Sequence, residues 1–186
     1  EVKEAVNMAE KSGAKDVTLF KCVSSYPANP EDMNLSTIPD MKARFGCQVG
    51  LSDHTLGIGV SLVAVSLGAK VIEKHFILSR KINTPDSFFS IEPDELKELV
   101  ENIRIAEKAL GIINYGLTDE EKKNLIFRRS IFAVKDIKKG EVLTEKNIRS
   151  IRPGYGLPPK LLKDILGRKS KVTIKKGTPM SKELFS

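Results

Sequence analysis

Histidine is almost missing from this chain: among 186 residues there are two, His54 and His75. Cysteine is as scarce, and Cys22 and Cys47 form neither a CxxC pair nor a disulfide framework. Both sit in apolar, strand-like runs and read as buried free thiols of a reducing cytoplasm. No stretch approaches the ~20 consecutive apolar residues of a membrane helix. No charged-then-apolar leader opens the chain, so the expectation is a cytoplasmic protein with no membrane partner.

What is present is ordinary in amount and uneven in distribution. Hydrophobic residues make up 40% and charged residues 30%, as in a soluble globular protein. Residues 1–127 carry 15 Lys and Arg against 19 Asp and Glu, a net charge of −4. Residues 128–186 carry 16 against 5, a net charge of +11. Opposite signs argue for two domains and for an anionic partner of the basic one, whether nucleic acid, small molecule or acidic protein face.

The first part reads as helix, then strand–helix units. Val2, Ala5, Val6 and Ala9 form a helical stripe that Gly13 ends. VTLFKCV reads as a buried strand leading to Ser24-Ser25-Tyr26-Pro27, and a helix over about residues 34–45 is ended by Gly46. Strand Cys47–Leu51, helix Ile58–Leu67 and strand Lys70–Lys74 follow, and Glu92-Pro93-Asp94 opens a long helix to Leu110. This is the βα order of a parallel sheet or barrel, whose polar groups collect at the C-terminal strand ends. A closed barrel needs eight units over ~250 residues. The chain is therefore expected to be the C-terminal part of a longer protein, with residues 1–112 in the barrel and 113–127 a linker. Beyond Arg128 the texture is short strands and turns. IKKGEVLTEKNI (137–148) and IKKGTPMSKELF (174–185) repeat at an offset of 37 residues. Two copies suggest an approximate internal twofold rather than a solenoid, which needs three or more.

The two histidines follow successive strands, in SDHT and EKH. Adjacent strands lie about 4.8 Å apart, so the rings would be neighbours able to share one metal ion. A single histidine is more often a structural hydrogen-bonder; the matched placement is what favours a ligand pair. Asp53 and Glu73 could orient the ligands or be ordinary strand-end charges, and Lys74 could be no more than a salt-bridge partner. Ser24, Tyr26 and Ser52 lie at equivalent strand ends, where hydroxyls suit phosphate or sugar, although loop serines are usually turn formers. Asp86 could be an exposed loop carboxylate, and Arg152, in RPGYG, one solvated charge among 16.

LSDHTLG (51–57) followed by GAKVIEKHF (68–76) resembles the sialic acid synthase family, which condenses phosphoenolpyruvate with amino sugars. The likeness extends through SIEPDEL (90–96), ALG (109–111) and RSIFAVKDIKKGEVLTEKNIRSIRPGYGL. Within the family, FKCVSSYPANPEDMNL (20–35) and PDSFFSIEP (85–93) look most like pseudaminic acid synthases. The resemblance implies the C-terminal part of a (β/α)8 TIM barrel followed, over residues 128–186, by a small SAF (antifreeze-like, β-clip) domain. It implies a divalent metal, Mn2+ or Mg2+, on His54 and His75, and phosphoenolpyruvate on Ser52 and Ser24. Tyr26 and Asp86 would line the pocket of the amino-sugar aldehyde, with Asp86 beside the catalytic histidines. Arg152 would reach the partner's site in a homodimer whose SAF domain is exchanged onto the neighbouring barrel. The family's N-terminal barrel half is not in these residues, so the isolated piece is expected to be inactive. Three alternatives stay open: a manno-configured substrate (N-acetylneuraminate or legionaminic acid synthesis), another metal-dependent barrel, and nucleic-acid binding by the basic part. For the last, Tyr155 is the only tyrosine of that part and no stacking platform appears.

Overall fold

The computed structural model describes residues 1–186, which form two compact units, Glu1–Ile113 and Asn114–Ser186.

In the first unit, helix α1 (Val2–Lys11) places Glu4 in its first turn and Lys11 in its last, matching the helix dipole at both ends. Strand β1 (Thr18–Cys22) leads through the 23–36 connection to helix α2 (Thr37–Phe45). Gly46 ends α2 in the left-handed conformation (φ 68°), its N–H donating to the Lys42 carbonyl. Strand β2 (Gln48–Asp53), helix α3 (Gly59–Ser66), strand β3 (Val71–Lys74) and helix α4 (Pro93–Leu110) follow. Pro93 occupies the first turn of α4, and the Glu95 carboxylate accepts from the Glu92 N–H at 2.8 Å, closing a capping box.

The sheet is parallel in the order β1-β2-β3. A fourth parallel partner, which the sequence pattern did not show, is Ile91. Its N–H donates to the His75 carbonyl and its carbonyl accepts from the Ile77 N–H, both at 2.9 Å. Side chains alternate across the sheet. Val49, Leu51 and Ile72 face α2 and α3, packing with Ile38, Ala64 and Met33. On the other face Phe20, Gly50 and Val71 share one row of the register. A Cβ on Gly50 would lie 2.8 Å from the Phe20 ring, so the ring lies over the glycine. VTLFKCV is thus half open rather than buried. Thr18, Phe20 and Cys22 are exposed, and strand β2 runs two residues further than its apolar pattern, to include Ser52 and Asp53.

The second unit begins within residues expected to be a linker. Thr118 and Glu121 form a reciprocal capping box that starts a short helix, α5 (Asp119–Lys123), followed by a 3-10 turn at Asn124–Phe127. A polar composition had concealed this local signal. Strands β4 (Ser130–Ala133) and β5 (Ile148–Ile151) pair antiparallel, and α6 (Leu162–Ile165) covers one side. The repeat appears as a hydrogen-bond pattern. Ile137 and Ile174 exchange N–H and carbonyl at 2.8 Å in both directions. Gly140 N–H donates to Ser170 O and Gly177 N–H to Ala133 O; Leu143 N–H donates to Arg168 O and Met180 N–H to Ile131 O. In each case the second bond is the first displaced by 37 residues with the two copies exchanged, which is an approximate twofold. Gly140 and Gly177 take φ of 84° and 88° at the turns of the two IKKG copies. Ile137, Leu143, Ile148 and their counterparts Ile174, Met180 and Phe185 form the buried core.

No helix in the chain is long and apolar enough to cross a membrane.

Candidate active site

The ends of β1, β2 and β3 and the loop after β3 bring five of the expected residues together, Tyr26, Ser52, His54, His75 and Asp86. The His54 and His75 rings lie 5.2 Å apart between centres, edge to face. His54 Nδ1 is 2.8 Å from the Val23 carbonyl; an N–H donated there leaves Nε2 as the free acceptor. The backbone at His54 is fixed as well, its carbonyl accepting from the Ala28 N–H. Asp86 Oδ2 lies 3.6 Å from His75 Nδ1. The Tyr26 ring packs 4.3 Å from His54 and 5.8 Å from His75, between centres. Phe89, buried and 4.8 Å from His75, completes the aromatic wall.

Ser52 stands two residues before His54 on the same face of the sheet, buried, with its hydroxyl donating to Glu73 Oε1 at 2.7 Å and 3.4 Å from His54 Nε2. Ser24 is exposed directly after Val23, whose carbonyl holds His54. Asp86 owes its place to the loop behind it: Ser90 Oγ and N–H both donate to the Asp86 carbonyl. Arg80 anchors the same loop to α4 with two bonds to the Glu95 carboxylate, at 2.6 and 3.1 Å, and one to the Ser90 carbonyl. The guanidinium and the Glu92 N–H hold the Glu95 carboxyl below its ordinary range.

Asp53 and Lys74 are not part of this wall. Both point to the helix side of the sheet as a buried ion pair, at 3.1 Å. A groove of mixed lining, with Val65, Ile72 and Leu99 beside Lys70, Arg104 and Glu107, also lies on that side, away from the histidines. Arg152 belongs to the second unit. It is exposed on the loop after β5, which Ser130 fastens by donating to the Pro153 carbonyl and accepting from the Gly156 N–H. A Cβ on Gly154 or Gly156 would collide with the carbonyl of Leu125 or Ile131, so both glycines permit close backbone approach.

The pair fits a cation. With metal–nitrogen bonds of about 2.1 Å, two imidazoles on one ion keep their ring centres about 5 Å apart, and the carbonyl on His54 Nδ1 is the usual orienting partner of a metal-bound histidine. The chain gathers no group of three or more His, Cys, Asp or Glu at ligand spacing.

A parallel βα sheet segment with polar groups at its strand ends, followed by a small β unit with an approximate twofold, defines an α/β chain with an accessory β domain. Residues 1–115 match the NeuB family and residues 128–185 the SAF domain. The chain belongs to the NeuB family. It is 46% identical over 170 residues to a pseudaminic acid synthase of Campylobacter jejuni, covering 91% of this chain and 50% of that protein. It is 44% identical over 171 residues to an N,N'-diacetyllegionaminic acid synthase of the same species, covering 90% and 51%. Among solved structures, the spore coat polysaccharide biosynthesis protein spsE of Bacillus subtilis superposes with a TM-score of 0.57 at 33% identity, covering 100% of this chain and 57% of that one. The chain spans about half the length of the curated relatives it matches.

Proposed function

We propose that this chain supplies the metal-binding and sugar-binding side of a cytoplasmic, phosphoenolpyruvate-dependent synthase of nonulosonic acids. The whole protein would join phosphoenolpyruvate to 2,4-diacetamido-2,4,6-trideoxy-altrose, giving pseudaminic acid and phosphate. The observation that carries the reading is the meeting of His54 and His75 at neighbouring strand ends, in a chain 46% identical to a pseudaminic acid synthase. His54 and His75 hold a divalent cation, Mn2+ or Mg2+, which when bound supplies Lewis-acid polarisation of the sugar aldehyde. Val23 orients the His54 ring through its carbonyl. Asp86 anchors a sugar hydroxyl, Tyr26 and Phe89 wall the sugar, and Ser52 and Ser24 bind phosphoenolpyruvate. Arg152 of a second subunit binds the sugar's N-acyl group in a homodimer with exchanged SAF domains. In the reaction the enol carbon of phosphoenolpyruvate attacks the aldehyde carbon and water adds to the cationic centre that results. Phosphate then leaves by C–O cleavage, and a 3-deoxy-2-keto acid remains.

A manno-configured substrate is the second reading, favoured by 44% identity to the legionaminic acid synthase. The two products are isomers, so mass alone does not separate them. Offering the whole enzyme both precursors, the altro form carrying deuterated acetyl groups, makes them distinguishable. Labelled product and phosphate release are expected; unlabelled product would select the second reading. His54→Ala and His75→Ala are each expected to remove divalent-cation dependence together with turnover, and retention of both would overturn the assignment.

A further inference from the structure

We infer that Asp53 and Lys74 are positioning residues, a buried ion pair on the helix side of the sheet that sets the separation and aim of His54 and His75 on its other side.

Asp53 immediately precedes His54, and Lys74 immediately precedes His75. The two face each other in the last register position of β2 and β3. Their side chains are 0% and 3% exposed and meet at 3.1 Å. Asp53 Oδ1 accepts from the N–H and hydroxyl of Thr55 at 2.8 and 2.7 Å, which folds the chain back directly after His54. Asp53 Oδ2 accepts from the Ser61 hydroxyl of α3 at 2.6 Å. Lys74 Nζ also donates to the Thr55 carbonyl, at 2.6 Å. The residues before and after His54 are therefore both tied to the residue before His75. β2 and β3 end here, so no further strand pairing holds the two strand ends together.

A buried ion pair is a poor device for stability alone, since two apolar side chains of similar volume often do as well or better. What an apolar pair does not supply is direction: Lys74 reaches the Asp53 carboxylate at the end of β2 and the Thr55 carbonyl just beyond it, and Asp53 takes four donors, two from Thr55 and one each from Ser61 of α3 and Lys74 of β3. Groups that orient metal ligands in this way typically affect metal affinity by about 10–100-fold. The inference rests on the reading that His54 and His75 share a cation, but the spacing of the rings can be measured without one.

The test compares the intact chain with Asp53→Asn, Lys74→Met and the double variant. Three readouts are taken: thermal midpoint, Mn2+ affinity by electron paramagnetic resonance titration, and the cross-relaxation between His54 and His75 ring protons in metal-free protein. Each single variant is expected to lower the midpoint, weaken Mn2+ binding about tenfold and diminish the ring cross-peak. The double variant leaves no unpaired buried charge, so its midpoint recovers while Mn2+ affinity and cross-peak stay low. Affinity and cross-peak that recover together with the midpoint, or that never fall, would show a merely structural pair and overturn the inference. If a single variant does not fold, the double variant and Ser61→Ala carry the same comparison. An unmutated chain that fails to bind Mn2+, with a cross-peak still lost in the double variant, overturns the cation reading and supports the spacing role.

Discussion

In the second unit Ile137, Leu143 and Ile148 and their counterparts Ile174, Met180 and Phe185 meet in one sealed cluster, each no more than 6% exposed. In the first unit the helix-facing side of the sheet is packed in the same way, yet Phe20 and Val71 on its other side stand 37% and 39% exposed. The apolar rows also end differently. In the second unit they end at turns; in the first they end at Ser52 and Glu73, two residues further along the open face, and at the two histidines, four residues further. The difference separates two uses of the same residue types. The second unit encloses a core and presents its conspicuous cation, Arg152, on a fastened loop. The first leaves its apolar row open at Phe20 and Val71, while Ser52 and His54 further along the same face are each 6% exposed, with the Tyr26 ring against His54.

Truncating one side chain from each unit should break this contrast most visibly. Ile174→Ala empties part of a sealed cluster and is expected to cost about 2–5 kcal/mol, a large fraction of the stability of so small a unit. Phe20→Ala removes a ring already partly in water and should cost about 1 kcal/mol. Urea unfolding followed by amide signals of each unit separately measures both. Equal losses would mean that the Phe20 face is covered after all.

The fastened loop gives the next largest effects. Gly156→Ala forces a methyl group against the Ile131 carbonyl and should destabilise the second unit by about 1–3 kcal/mol. Ser130→Ala leaves the Gly156 N–H and the Pro153 carbonyl without their shared hydroxyl, at about 1–2 kcal/mol. Hydrogen exchange at Gly156 should accelerate in the serine variant while α4 is unaffected. Unchanged protection there would show that the hydroxyl does not hold the Arg152 loop.

Much of this was legible in the chain itself, because periodicity and punctuation are local. The βα order, the stops at Gly13 and Gly46, the helix start at Pro93 and the 37-residue repeat all follow from spacing. The convergence of His54 and His75 followed from their placing after successive strands. What escaped depends on atoms far apart in sequence. The Val23 carbonyl that aims His54 belongs to a backbone with no side-chain signal. Phe89 and Ile91 lie in a loop too irregular for a period of 2 or 3.6, and only the Phe89 ring against His75 and the Ile91 N–H on the His75 carbonyl give them a role. For Asp53 the pattern leaves ligand orienter and strand-end charge open, and for Lys74 it offers a salt bridge without naming the carboxylate, because it cannot say that both face the helix side. The openness of β1 was hidden for the converse reason: VTLFKCV is apolar enough to be buried, and nothing in it reports that one face lacks a cover.

Acid should sharpen the contrast by the smallest margin. In the first unit the Glu95 carboxyl is held below its ordinary value of 4.5, by the Arg80 hydrogen bond first and the Glu92 N–H second. In the second unit four carboxyls are held low. Glu121 is held by the Thr118 N–H and Asp136 by the Lys176 N–H. Glu141 is held by the Lys138 N–H and Glu183 by the Ser181 hydroxyl. A carboxyl depressed on folding stabilises the native state above its unfolded value and loses that contribution as pH falls through the depressed one. The slope follows the number of protons the unfolded state binds in excess, so four such groups tilt the second unit's stability more steeply than one tilts the first. The window opens just below the ordinary glutamate value of 4.5 and, for Asp136, below 3.8. All four groups are exposed, so each contributes little and salt screens part of it. Stability of each unit measured in half-unit steps from pH 5 to 2.5 should fall faster in the second, and Glu95→Gln should flatten the first unit's profile alone. A first unit that unfolds before the second on acidification would instead mean that the uncovered sheet face, not the carboxyl count, sets the acid limit.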